Sequence, residues 1–363
     1  MSDERTPLVA SPKCPQGDPE AQSGREEEPS SKVDWVFLVI AQAGVFLAQA
    51  DDSFVLSTHG EIASHFQRLS LGPWLVTAYN LGCCVALPMY GRLSYIYGYK
   101  VMLLSAYSLF AFGCAITGSS VSIWMAVAGR AIAGVGGSGM MDLISVMITD
   151  MAPLKDVALL RSYIVIAANV GVSVGAPLGG MLADVIGWRW SFLGQAPMAG
   201  LCFTMAVWRL PSKPRHQQVR KSGTNLTKQN PELDFFGICF LGITIAAAMG
   251  LAHLFGEGEF GQDQITAVLL AVVLVAGILF GLNEAFWTRD PLMPFWLLKT
   301  KGIGIVYIGQ VLVEFSLFSL ISNISEYFIR TENVTNSVAG SYLLFICFGA
   351  LIGSLLYGKR IQQ

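Results

Sequence analysis

Two carboxylates and a guanidinium interrupt long apolar runs of this chain. Asp51 and Asp52 follow Leu47-Ala48-Gln49-Ala50, and Arg130 lies within Ala128-Gly129-Arg130-Ala131-Ile132-Ala133-Gly134. Asp142 stands further along the run that holds Arg130, and Glu314 interrupts a later one. A charge placed in hydrocarbon costs at least about 2.5 kcal/mol, so such residues usually face a cavity or a partner and mark a functional site. A protonatable Asp beside an Arg forms a proton-coupling switch, with the charge of each partner setting the state of the other. Asp51 is the leading proton carrier on this reading, Asp52 its reserve, and Arg130 the pairing cation. Asp142 and Glu314 are expected to line a substrate path, where acidic groups suit a cationic substrate. The bland alternative places Asp51 and Asp52 at the membrane interface with no special role.

The elements that must position these residues follow from composition. Hydrophobic residues make up 53% of the 363 and charged residues 13%, against about 25% charged in soluble domains. A chain so poor in charge cannot cover a globule with polar surface, and its mean hydropathy of +0.54 points to lipid as its main solvent. The net charge of −2 offers nothing to nucleic acid. Seven cysteines without regular spacing, and four histidines without ligand spacing, suggest neither a disulfide framework nor a metal site. No cofactor motif is present.

A membrane helix needs roughly 20 mostly apolar residues. Windows at about 35–57, 73–91, 101–119, 122–148, 162–186, 190–209, 235–255, 264–286, 302–322 and 338–358 qualify. The predicted fold is therefore all-α and integral to the membrane, with about ten transmembrane helices. At 1.5 Å per residue, Asp51 lies roughly 22 Å from the start of its span. Arg130 lies roughly 12 Å from the opposite face of a core about 30 Å thick. The two share a level to within about 5 Å, so an Asp–Arg pair in a cavity is the expectation.

Sidedness follows from the loops. Arg92, Lys100, Lys155, Arg161, the cluster from Arg209 to Lys228, Arg289, Lys299, Lys301, Lys359 and Arg360 collect on one face. Only Arg68, Arg189 and Arg330 fall on the other. Basic loops stay cytosolic, which predicts a cytosolic N-terminus. Residues 1–33 are polar and rich in Pro, Ser and Glu, the composition of a disordered tail. The basic stretch 211–233 follows six spans and reads as a linker. The expected organisation is thus a tail at 1–33, a six-helix half at 34–210, a linker with two extra spans at 211–300, and an incomplete second half at 301–363.

Small residues supply further signals. Arg130, Gly134 and Ser138 share a face at i, i+4, i+8, which suits close helix packing. Gly171-Val172-Ser173-Val174-Gly175-Ala176-Pro177-Leu178-Gly179-Gly180 is dense enough in Gly and Pro to act as a hinge or seal, or simply as a close-packing face. Gly136-Gly137-Ser138-Gly139 matches an intramembrane serine-protease pattern, but Ser activation needs a base within hydrogen-bond reach, and only His253 lies near a span. His59 and His65, after the first span, are in place to sense pH, although ordinary loop histidines are commoner.

Taken in order, these segments resemble the major facilitator superfamily. The loop Gly91-Arg92-Leu93-Ser94-Tyr95-Ile96-Tyr97-Gly98-Tyr99-Lys100 resembles its G-x-L-x-D-x-x-G-R-K motif. The Arg130 segment resembles its fourth-span R-x-x-x-G motif, and Gly171 to Gly180 its antiporter motif. Gly187-Trp188-Arg189-Trp190-Ser191-Phe192, Asn283-Glu284-Ala285 and Asp290-Pro291-Leu292-Met293-Pro294 resemble the fourteen-span drug:proton antiporter branch. Asp51 with its neighbours, Glu61-Ile62-Ala63-Ser64 and Ser191-Phe192-Leu193-Gly194-Gln195 look most like fungal vacuolar amino-acid transporters.

The resemblance implies a secondary transporter, not an enzyme. Its substrates would be protons and a cationic amino acid or organic cation, and Gly91, Gly98, Lys100, Gly134, Gly171, Gly175, Pro177, Gly179 and Gly180 would form the conformational motifs. Vacuolar antiport of basic amino acids leads. Plasma-membrane efflux of toxins is the alternative, and a transport-dead product with a regulatory role is a third reading. Against the fourteen-span pattern the chain looks C-terminally truncated. Tyr95 and Tyr99 replace the family's Asp and Arg in the first motif, which puts its charge network in question. Glu4-Arg5-Thr6-Pro7-Leu8-Val9 resembles an acidic dileucine signal for vacuolar sorting, and Asn333-Val334-Thr335 is the one glycosylation match expected in the lumen.

Overall fold

The computed structural model describes residues 35–152, 154–210, 234–256, 264–287 and 302–332, with isolated positions at 349, 352 and 353. Described elements are all helical: α1 (Trp35–His65), α2 (Pro73–Tyr97), α3 (Tyr99–Gly118), α4 (Ile123–Met151), α5 (Leu154–Ile186), α6 (Trp188–Arg209), α7 (Phe235–Gly256), α8 (Gln264–Leu282) and α9 (Ile303–Glu332). Leu69–Leu71 forms a 3-10 turn before α2, and Asn283–Trp287 a π turn after α8. In a solvent that offers no hydrogen bonds, a helix satisfies its own backbone, which is why apolar runs of this length fold so.

Neighbours in sequence are only some of the main partners in space. The most extensive pairings are α1 with α5, α3 with α4, α2 with α4 and α3 with α6, while α7 and α8 form a hairpin that touches α2. α4 is central because its small residues let two neighbours approach its backbone. A methyl added at Gly136 would strike the backbone of Phe110 on α3, and one at Gly134 the backbone of Tyr79 on α2. One core cluster packs Ile40, Val45, Leu103, Tyr107, Phe110, Met140 and Ile144. A second gathers Phe54, Val55, Ile62, Leu75, Trp188 and Phe192 toward the end where α1 stops. α2 joins α3, and α5 joins α6, through single glycines, Gly98 and Gly187, each at φ +86. That backbone conformation favours glycine.

Among the described residues, six helices are long and apolar enough to cross a membrane: α1 to α5, and α8 with its π turn. α6 carries Arg189, Gln195 and Arg209, and the apolar stretches of α7 and α9 are shorter, Phe236–Ala252 and Ile303–Leu317. The predicted span edges shift most in α1, which runs on to His65, in α5, which begins at Leu154, and in α9, which reaches Glu332. Hydropathy marks only the hydrocarbon-filling part of a helix, whereas backbone hydrogen bonding continues into the polar flanks. α1 is 31 residues, or about 46 Å, against a core of about 30 Å. α8 is apolar on all sides and mostly uncovered, with Val268, Leu274 and Ile278 exposed, as suits a helix against lipid. The tail at 1–33, the linker at 211–233, Asn333 and nearly all of the tenth window at 338–358 lie outside the described residues.

Candidate functional site

Asp51 sits about midway along α1, on the side that meets α4. Arg130 sits in the second turn of α4, and its Nη1 donates to Asp51 Oδ2 at 2.5 Å. Both side chains have no solvent exposure. Arg130 is also stacked on aromatic faces, with Cζ 4.3 Å from the Tyr79 ring centroid and 5.8 Å from that of Phe192. Cation–π contact of this kind gains strength where water is absent. Tyr79 is held in turn by its hydroxyl, which donates to Ala48 O on α1 at 3.2 Å. The centre therefore joins α1, α2, α4 and α6 around one guanidinium.

This centre is incompletely paired. Arg130 Nε and Nη2, Asp51 Oδ1 and Asp52 Oδ1 are buried without hydrogen-bond partners. An ion pair taken out of water repays its desolvation only when its remaining polar atoms are also met. The arrangement holds one carboxylate tightly and leaves a second carboxyl, one residue and about 100° further round α1, free to change its proton or its partner.

Among the other sequence candidates, Asp142 is half-buried on α4, three turns from Arg130 and roughly 18 Å along the axis. Glu314 is exposed on α9 and accepts from Gln310 Nε2, one turn earlier, at 2.8 Å. The structure thus brings Asp51, Asp52 and Arg130 together, and Asp142 and Glu314 stand apart from them. Ser138 Oγ donates to Val135 O of its own helix at 3.0 Å, a structural use of the hydroxyl.

The glycine-rich stretch of α5 is helical throughout, Pro177 included. Gly171, Gly175 and Gly179 form a ridge against α1, facing Phe46, Ala50 and Phe54 in step. Gly180 has open space where a side chain would be. The ridge is therefore a close-packing face, in register with the helix that carries the acidic pair. Gly91 lies within α2 with open space beside it. Lys100 donates to Val207 O at 2.7 Å and Leu210 O at 2.8 Å, capping the end of α6. Tyr99, where the motif resemblance expects Arg, donates from its hydroxyl to the carboxylate of Asp150 at the end of α4. Sequence reading missed Tyr79, the Tyr99–Asp150 bond and a contact between His65 and Arg189. A ring or a phenol within an apolar run carries no pattern that distinguishes packing from polar use.

The family model of the Major Facilitator Superfamily matches residues 43–361. The chain belongs to this family of membrane transporters, and is an integral membrane protein and not an enzyme. It is 31% identical, over 88% of its length, to the vacuolar membrane amino acid uptake transporter fnx2 of Schizosaccharomyces pombe, of which it covers 54%. Identity to the vacuolar basic amino acid transporter 1 of Saccharomyces cerevisiae is 28%, over 88% of this chain and 55% of that protein. The multidrug resistance protein fnx1 of S. pombe is 29% identical over 93% of this chain and 63% of its own length. The chain spans about half the length of the first two of these relatives. A solved structure of the proton:xylose symporter XylE shares the fold, with a TM-score of 0.56 at 17% identity, over 90% of this chain and 68% of that one.

Proposed function

We propose that this chain serves proton-coupled antiport of basic amino acids into the vacuole, with its N-terminus in the cytosol. The observation that carries the reading is the buried Arg130–Asp51 pair with the Asp52 carboxyl beside it. A carboxylate held by a cation, next to one that is not, is the minimum equipment for exchanging a proton against a positively charged substrate. Two relatives bear vacuolar amino-acid transport in their names, which favours that substrate class and compartment. In this assignment the proton role falls to Asp52 rather than to Asp51, the leading candidate by sequence, because Arg130 already holds Asp51. Asp51 and Arg130 hold α1 to α4, and Asp142 and Glu314 line the path. The glycine ridge of α5 lets α1 move as a body with its neighbour.

The test is uptake of labelled lysine, arginine and histidine into vacuolar vesicles under an imposed pH gradient. Gradient-driven uptake that Asp52→Asn abolishes supports the assignment. Undiminished uptake in both Asp51→Asn and Asp52→Asn removes it. A second reading, efflux of organic compounds, is favoured by relatives named as a multidrug resistance protein and an efflux pump. Lysine uptake that is absent while an organic cation is expelled from whole cells selects it.

A further inference from the structure

At the end of the bundle where α1 stops, one arginine ties three elements together. Arg189 lies in the first turn of α6, just after the positive-φ Gly187. A cation at a helix N-terminus opposes the helix dipole, so its position there depends on the acceptors it meets. Its Nη2 donates to Ser120 O, in the turn between α3 and α4, at 3.0 Å. Its Nη1 lies 3.0 Å from Nε2 of His65, the last residue of α1. The guanidinium also lies 4.6 Å from the Trp188 ring and 5.9 Å from that of Phe66. His65 meets both rings edge-on, at 5.2 Å from Phe66 and 5.9 Å from Trp188.

Arginine is a donor only. The contact therefore needs a bare Nε2 on His65, with the ring proton on Nδ1. A protonated imidazole would aim N–H at N–H and place two positive charges together. His65 itself is exposed, so protons from the adjoining solution reach it.

We propose that His65 and Arg189 form a pH-sensitive latch that binds the end of α1 to α6 and to the α3–α4 turn. It is closed at neutral pH and opens when the solution at this end becomes acidic. The charged groups around it are Glu61 one turn earlier on α1, Asp184 on α5 beside Glu61, Arg68 beyond the end of α1, and Arg189 itself. None of them takes the place of Nε2 against Arg189 among the described contacts. The helix that the latch releases is the one that carries Asp51 and Asp52, so acid at one end loosens the element bearing the coupling carboxylates. The latch stands on its own geometry and does not depend on what is transported.

Hydrogen–deuterium exchange of the full chain in lipid nanodiscs tests it, read over residues 60–68 and 187–194 and corrected for intrinsic rates. Between about pH 7.5 and about pH 5, exchange in both segments is expected to rise about tenfold. That is the scale of losing one charge-assisted hydrogen bond. His65→Gln offers a non-titrating acceptor and is expected to stay protected at both pH values. His65→Lys is expected to be open at both. Equal protection of the wild type at the two pH values overturns the latch. So does a full acid response in His65→Gln, which would move the effect to Glu61 or Asp184.

Discussion

Arg130 is held by one carboxylate oxygen and two aromatic rings, while its Nε and Nη2 meet no acceptor. Removing the carboxylate leaves a bare buried cation, which costs about 3–5 kcal/mol. Asp51→Ala is therefore expected to lower thermal stability in detergent sharply. The double change Asp51→Ala with Arg130→Met should recover most of it, since a matched apolar pair is often neutral in such a place. A double variant as unstable as the single one would show that the ion pair is not what Asp51 contributes. Asp52 differs in that its buried Oδ1 has no partner to lose. Asp52→Asn should leave the melting temperature nearly unchanged, within about 0.5 kcal/mol, and still stop gradient-driven uptake. A large stability loss in that variant would recast Asp52 as structural.

At the scale of elements, contact between α1 and α5 rests on three glycines that face α1 one turn apart. A side chain at Gly175 would run into Ala50 Cα, 2.8 Å from the position a Cβ would take. Gly175→Val is expected to separate the helices and reduce the amount of protein in the membrane severalfold. Gly180→Ala, which meets only open space, should leave it at wild-type level. Quantitative blotting of membrane fractions distinguishes the two, and equal levels would mean that the ridge is not under steric limit. At the opposite end from the His65 latch, Lys100 satisfies carbonyls that the last turn of α6 would otherwise leave unpaired. Lys100→Met should cost about 1 kcal/mol, visible as earlier unfolding of α6 in hydrogen exchange. Tyr99 and Asp150 tie α3 to α4 nearby, so this replaced motif position still serves this end of the bundle.

For the whole molecule, the placement of charges at opposite ends agrees with alternating passes through a bilayer. Lys100 meets the end of α6 and Arg189 meets the end of α1, at opposite ends of the six-helix bundle. On the proposed orientation, with the N-terminus cytosolic, Asn333 is expected in the lumen, and the wild type should carry one glycan that Asn333→Gln removes. A gel shift after deglycosylation reads this directly. A glycan that persists in the variant, or an N-terminal tag protected from protease in sealed vacuoles, would reverse the orientation.

The sequence alone determined that this is a helical membrane protein, and it singled out the few charges set within its apolar runs. Lipid leaves a backbone few choices, and an intramembrane charge is too costly to be incidental. It also set Asp51 and Arg130 at one level, where the structure pairs them, because helical rise is constant at about 1.5 Å per residue. What it could not supply is azimuth and partnership. Runs apolar on every side do not tell one face from another, so which of Asp51 and Asp52 bonds Arg130 is seen only once α1 and α4 are packed. The same blindness hid the α1–α5 and α2–α4 pairings, and which helix the α5 glycines pack against. It also left unseen the meeting of His65 with Arg189, 124 residues apart in sequence. Each of these depends on which helix lies beside which, and close packing among small residues in three dimensions decides that.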